Sequence, residues 1–301
     1  MKTKKKFSKR TKWAYIFIAP AMTILTIFVF IPVIASFFLS FTEYDGISSP
    51  KIVGLRNYLT ILFKDPLFWK AVKNTLFYVV FTVPVGIAVS LLVSLALYQK
   101  VKFITLFRTG FFLPTVTSIA AVSVVWRWIY AGDKYGFLNY ILTKLGIISV
   151  LQDWLMQPST TLPAIIVMSI WGGIGYNSII LLSGLQSIPD SIFEAAKIDG
   201  VTSWEKFWYI TLPMLRPVML FLVIMSTINS FQVFEQVYIM ASTTEYFGGV
   251  LYSALTIVPY LYERAFKRFM LGYASALAYL LFVIIFVITL VYMKLSKFYE
   301  E

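Results

Sequence analysis

The sequence predicts an all-α polytopic membrane protein with six transmembrane helices, and three observations lead there. Of 301 residues, 59% are apolar and 13% charged, whereas a soluble domain is about 45–50% apolar and about 25% charged. Six apolar runs, at 13–39, 72–97, 107–130, 162–182, 218–240 and 272–293, reach the roughly 20 residues a helix needs to cross about 30 Å of hydrocarbon. Of the 26 Lys and Arg, all but Lys73, Arg108 and Arg127 fall outside these runs. Mean hydropathy is +0.80.

The first span follows the most basic segment. Lys2, Lys4, Lys5, Lys6, Lys9, Arg10 and Lys12 stand there without an acid. Cations accumulate on the cytoplasmic side of a membrane protein, so the N-terminus is expected inside. Six spans return the C-terminus to the same side. Fifteen Lys and Arg then face the cytoplasm against nine outside. A signal peptide also has a basic head, but its apolar core is about 7–15 residues with a small-residue cleavage site, and this run is longer and lacks the site. The reading divides the chain into a basic N-terminus 1–12, a membrane domain 13–293 and a cytoplasmic tail 294–301.

In the second span Gly86, Ser90 and Ser94 fall four apart on one face, where small residues let another helix approach. Packing inside the chain is expected of them. The third span ends in Trp126, Trp128 and Tyr130, and Phe68 and Trp69 precede the second. Such rings suit the headgroup boundary, and Arg127 is expected to anchor there with them. The fourth span carries Gly172-Gly173-Ile174-Gly175-Tyr176-Asn177. Three glycines loosen a helix, and Tyr176 and Asn177 beside them either contact a polar cargo or serve packing. In the fifth span Asn229, Gln232 and Glu235 are spaced i, i+3, i+6, near one helical face, with Phe231 and Phe234 among them. They either line a path or bond to neighbouring helices, with Glu235 reaching the outer headgroups.

Composition also excludes functions. The chain has no Cys and no His, which removes disulfides, Cys/His zinc sites and His-dependent nucleophiles. No Gly is followed by Lys, so the usual phosphate-binding loop is missing. An ion-coupled carrier buries several ionisable groups as a relay; here the span interiors offer little beyond Glu235. Asp133, Asp153 and Glu245 are scattered in outer loops, and no paired acids suggest an enzyme. The net charge of +12 is explained by topology, without nucleic acid.

The loop at about 186–214 is the most informative segment. Ser191 with Glu194 has the form of a capping box, a local helix start, and Gly200 can end that helix at positive φ. Thr202 with Glu205 forms a second box, and Leu212-Pro213 is expected to break the second helix before span five. Ile192, Phe193, Ala196, Val201, Trp204, Phe207 and Trp208 give the pair apolar surface. Two readings fit: an amphipathic segment lying in the interface, or a docking surface for a cytoplasmic protein, where Ala195-Ala196 admits a partner's backbone.

Glu194-Ala195-Ala196, three residues, Gly200, nine residues, then Ile210-Thr211-Leu212-Pro213 resembles the EAA loop of ABC importer permeases. The rest of the chain resembles the carbohydrate branch of that family, through Ala19-Pro20 with Ile31-Pro32, Gly54-Leu55-Arg56-Asn57-Tyr58, Leu113-Pro114 with Trp126-Arg127-Trp128, Gly136-Phe137-Leu138-Asn139, and Leu271-Gly272-Tyr273-Ala274-Ser275-Ala276. Six spans without a large external insert look more like the glycerol-3-phosphate or raffinose type than the maltose subunit. The resemblance implies a type I importer fold in the bacterial cytoplasmic membrane and no enzymatic activity. It implies a second permease subunit, a cytoplasmic ATPase dimer that binds the ATP, so that this chain needs no cofactor, and an extracytoplasmic solute-binding protein. The implied cargo is a carbohydrate, a di- or oligosaccharide first and a glycerol-3-phosphate-like ester second. Glu194, Ala195, Ala196, Gly200, Ile210, Leu212 and Pro213 would couple to the ATPase. Tyr176, Asn177, Asn229, Gln232 and Glu235 would bond sugar hydroxyls, and Phe231 and Phe234 would pack on sugar faces. The family's Thr-x-Gly-Gly-Pro after span five is altered here to a run ending Phe247-Gly248-Gly249-Val250.

Overall fold

The computed structural model describes residues 9–99, 104–243, 245 and 247–297. The expected cytoplasmic segments 1–8 and 298–301, with Lys100 and Lys102, lie outside the described residues. In chain order the helices are α1 (Lys9–Leu25), α2 (Ile31–Leu39), α3 (Arg56–Lys64), α4 (Pro66–Tyr98), α5 (Ile104–Val116), α6 (Ile119–Ile129), α7 (Phe137–Lys144) and α8 (Thr161–Gln186). There follow α9 (Asp190–Ile198), α10 (Ser203–Glu205), α11 (Leu212–Met214), α12 (Arg216–Phe231), α13 (Glu235–Ala241), α14 (Ile257–Tyr262) and α15 (Leu271–Lys297). A short antiparallel hairpin pairs β1 (Thr42–Glu43) with β2 (Lys51–Ile52). The chain divides into two compact units. One runs to Lys64 and resumes over Tyr262–Leu280; the other takes Asp65–Leu261 and the chain from Leu281.

In the first unit, α1, a π-helical turn Thr26–Phe30 and α2 make one apolar span, Lys12–Leu39. Pro32 has no N–H to return to the preceding turn, and the wider turn lies just before it. The chain leaves this span almost entirely uncovered: none of its most apolar window is buried. Its far end is tied down by the two motifs around it. Asn57 Nδ2 donates to the carbonyls of Ser40 and Thr42, both at 2.9 Å, and the Tyr58 hydroxyl meets Ser40 Oγ at 2.8 Å. Gly272 sits where any side chain would overlap the Thr42 carbonyl, and its N–H donates to the Tyr44 carbonyl at 3.2 Å. The Tyr279 hydroxyl donates to the Val33 carbonyl at 2.5 Å.

The second unit is built on α4 and α8. Pro66 opens α4, where its missing N–H costs nothing, and the Asp65 carboxylate caps the helix by accepting the N–H groups of Leu67 at 3.0 Å and Phe68 at 3.2 Å. The buried Tyr260 hydroxyl bonds to the same carboxylate. Gly86, Ser90 and Ser94 are buried, and Ser178 of α8 donates to the Ser90 carbonyl at 3.1 Å. The small-residue face therefore packs inside the chain. Gly175 lets α5 lie against α8, because a side chain there would collide with the Phe111 carbonyl and Thr115 Oγ1. Tyr78, Ile165, Met168, Val237 and Met240 form the core between these helices.

Four spans are single helices by length and composition: Lys12–Leu39, Pro66–Tyr98, Thr161–Gln186 and Leu271–Lys294. The other two differ from the continuous runs expected at 107–130 and 218–240. The third is a broken pair, with α5 and α6 bent by 101°. Pro114 frees a carbonyl in the last turn of α5, and Ser118 is extended at φ −56°, ψ 129°. In the fifth, the bent pair is Ser203–Met214 with Arg216–Phe231, at 64°; beyond it α12 stops at Phe231, Phe234 leaves helical geometry at φ −133°, ψ −66°, and α13 follows from Glu235. The glycines of α8, expected to loosen it, leave it unbroken.

Candidate functional site

A cavity of about 560 Å³ opens within the second unit, and both helix breaks stand on its wall. From the first break come Pro114, Thr115 and Thr117; from the second come Gln232, Val233, Phe234 and Glu235. Non-helical backbone at membrane depth is tolerated where it is buried in protein or lines a water-filled cavity, so two breaks meeting on one cavity explain each other. The second break is also pinned from behind: the Thr256 hydroxyl donates to the Val233 carbonyl at 3.4 Å, and the Ile257 N–H donates to Thr75 Oγ1 at 3.0 Å. The opposite walls are α4, with Tyr78 and Gly86, and α8, with Ser169, Gly172 and Gly173. The last two glycines widen the space instead of kinking the helix.

Tyr176, Asn177, Asn229, Gln232 and Glu235 all reach this cavity. The last three were expected along one continuous helical face. Instead α12 carries Asn229, Gln232 caps its end, and Glu235 opens α13. Phe231 requires correction. It is 1% exposed and not on the lining; as the last residue of α12 it points into the core, and of the two expected rings only Phe234 lines the cavity. Sequence reasoning missed the contributions of the third span, Pro114, Thr115 and Thr117. A proline inside an apolar run, four residues before Ser118, was the available signal. Arg127, expected at the headgroups, is exposed and directs Nη1 at the Ile239 carbonyl, at 3.5 Å, in the last turn of α13, where a cation complements the helix dipole.

The 186–214 loop is a second candidate surface. Its first helix starts two residues earlier than the expected box: Pro189 instead of Ser191 is the N-cap, no side chain caps α9, and the Ser191–Glu194 box does not form. Pro189 fixes the entry and Asp190 complements the first turn. The helix ends as expected. Gly200 is left-handed at φ +72°. Val201 N–H donates to the Ala196 carbonyl at 3.0 Å, and Gly200 N–H to that of Lys197 at 3.3 Å, which together make a Schellman motif. The second box is complete: Thr202 N–H donates to Glu205 Oε2 at 2.9 Å, and Glu205 N–H to Thr202 Oγ1 at 3.3 Å. The expected stop at Leu212-Pro213 is displaced. A π-helical turn Lys206–Thr211 precedes α11, with Pro213 in its first turn, and the 64° bend follows at Leu215.

Glu194, Ala195 and Gly200 are exposed; Ile210, Leu212 and Pro213 are half-buried. Ala196 is 5% exposed, because it lies under the Schellman turn, so of the two methyls only that of Ala195 is on the surface. Trp204 and Tyr209 are 71% and 79% exposed.

Broken spans around a cavity of mixed polar and apolar lining, with a self-capped helix pair in one connecting loop, fit a membrane permease. The chain belongs to the binding-protein-dependent transport system inner membrane component family, whose model matches residues 7–299. It is 36% identical over 300 residues to the probable ABC transporter permease protein YesP of Bacillus subtilis, covering 99% of this chain and 95% of that one. It is 38% identical over 278 residues to the lactose transport system permease protein LacF of Rhizobium radiobacter, covering 91% of each. A crystal structure of a bacterial ABC transporter that imports the acidic polysaccharide alginate contains a chain of the same fold, with a TM-score of 0.83 and 26% identity over 96% of both chains. The protein is a multi-pass inner-membrane component of a binding-protein-dependent transport complex, not an enzyme.

Proposed function

We propose that this chain is the permease subunit of an ABC importer for sugars or oligosaccharides, and that the cargo crosses through the cavity between the two helix breaks. The meeting of both breaks on one cavity, lined by polar and apolar side chains, is the observation that carries the pathway. Its volume lies within the roughly 300–1,000 Å³ of small-molecule sites. Tyr176, Asn177, Asn229 and Gln232 supply donors and acceptors for hydroxyls, and Phe234 supplies a flat apolar face for a sugar ring. Di- and oligosaccharides are the cargo read here. A phosphoester is disfavoured because, among the described residues, no Lys or Arg lines the cavity.

In the same reading the 186–214 loop faces the cytoplasm, as do both termini, and seats in a separate ATPase that works as a dimer. A second permease completes the pathway, and a solute-binding protein delivers cargo from outside. Exposed Glu194 pairs with a basic group of the ATPase. The left-handed Gly200 and the box at Thr202 hold the two helices at a fixed elbow, so that movement of the ATPase is transmitted to α12 and the second break. The test is uptake by the reconstituted complex carrying Gln232→Ala or Asn177→Ala. An altered apparent KM or cargo preference with unchanged assembly is expected; wild-type kinetics in both would refute the pathway.

A further inference from the structure

Charge is distributed unevenly in the cavity. Its lining is neutral except for one residue, Glu235. Glu235 is exposed, sits at the first position of α13, directly after the break, and stands in the same wall as Gln232 and Phe234. Arg127 contacts the far end of α13, at Ile239, and belongs to the wall of a different pocket with Asp153. Among the described residues, no cation shares the cavity with Glu235.

We propose that Glu235 is a specificity-determining residue that makes the pathway a charge filter: it admits neutral or ammonium-bearing sugars and rejects carboxylated or phosphorylated ones. This rests on the cavity being the pathway. A carboxylate at a helix N-terminus keeps some of its charge offset by the helix dipole, but its remaining field acts inside a confined space. For an anion some 8 Å away at an effective dielectric of about 20, the exclusion is about 30-fold, equivalent to about 2 kcal/mol at 1.4 kcal/mol per tenfold. Sharing a fold with an importer of an acidic polysaccharide does not fix cargo charge; the side chains on the wall do. A neutral lining with one acid is the opposite of what a polyanion needs.

The natural absence of cysteine gives a test that needs no knowledge of the cargo and bypasses the binding protein's own selectivity. Asn229→Cys, and separately Ser226→Cys, put a thiol on the wall. Each variant, in the intact complex in proteoliposomes, is treated with methanethiosulfonates bearing a trimethylammonium, a sulfonate or no charge. Modification of this subunit is followed by mass. The ratio of cationic to anionic rate should exceed that for a free thiol by at least 30-fold, and Glu235→Gln should return it to the free-thiol value. Modification with a ratio that Glu235→Gln leaves unchanged would overturn the filter while leaving the pathway intact. If no reagent, charged or neutral, reaches either thiol, the cavity is not a water path, and both proposals fall.

Discussion

The loop at 186–214 and the wall of the cavity solve opposite problems. In the loop, backbone groups freed by helix ends are satisfied within a few residues: Val201 and Gly200 N–H close the end of α9, and Thr202 and Glu205 satisfy each other at the start of α10. At the cavity, the Thr117 and Gln232 N–H groups close the ends of α5 and α12 on the Pro114 and Asn229 carbonyls, but α6 and α13 start without a capping side chain. Ser118 makes no side-chain cap, nor does Phe234. A locally satisfied turn holds its shape against an outside force. A wall whose polar groups face open space has capacity left for something that enters. The first arrangement suits transmission, the second recognition.

Breaking the loop should have the largest effect. Gly200→Asp puts a charged side chain on the exposed elbow itself, at φ +72° with open space around it; Asp is among the few residues that visit this conformation, so its effect falls on the docking surface. Uptake should be abolished, with the ATPase lost from the purified complex and membrane insertion normal. Glu194→Lys should do the same by reversing an exposed charge while leaving the fold of α9 intact. Co-purification and a vesicle uptake assay check both, and wild-type transport in the two variants would remove the docking role.

Gly175→Ala attacks the frame behind the cavity. A methyl there meets the Phe111 carbonyl and Thr115 Oγ1, and overpacking of this kind costs about 1–3 kcal/mol. The melting temperature of the detergent-purified complex should fall. An unchanged value would mean that α5 does not rest on α8 as described. Gln232→Ala should be milder, about 3- to 30-fold in apparent KM from the loss of one or two hydrogen bonds of about 1 kcal/mol each. Thr202→Ala should be smallest. Loss of an N-cap costs about 1 kcal/mol, visible as faster amide exchange at residues 203–206 with transport largely kept.

The same contrast explains what the sequence made legible. The second capping box and the left-handed Gly200 were readable because the groups that satisfy them lie three to five residues apart. The first box was misplaced because Ser191 competes with Pro189, whose fixed φ sets the helix start. The breaks at Ser118 and at 232–234 were not legible from hydropathy, since an apolar run of sufficient length looks continuous however its backbone bends. At 232–234 the freed Val233 carbonyl is met by a group far along the chain, the Thr256 hydroxyl. Asn229, Gln232 and Glu235 were grouped by the period of a helix that in fact stops among them; of the two rings expected beside them, Phe231 ends α12 in the core and Phe234, three residues on, faces the open space.

The bare first span has a practical consequence. A rod of Trp13, Phe17, Ile24, Phe28 and Val33, each about half or more exposed, takes almost all its lateral support from whatever amphiphile or neighbour surrounds it. Exchanging lipid for detergent replaces that support in one step, so solubilised preparations should lose amide protection there before anywhere on α4 or α8. Adding back native lipid should restore this helix first.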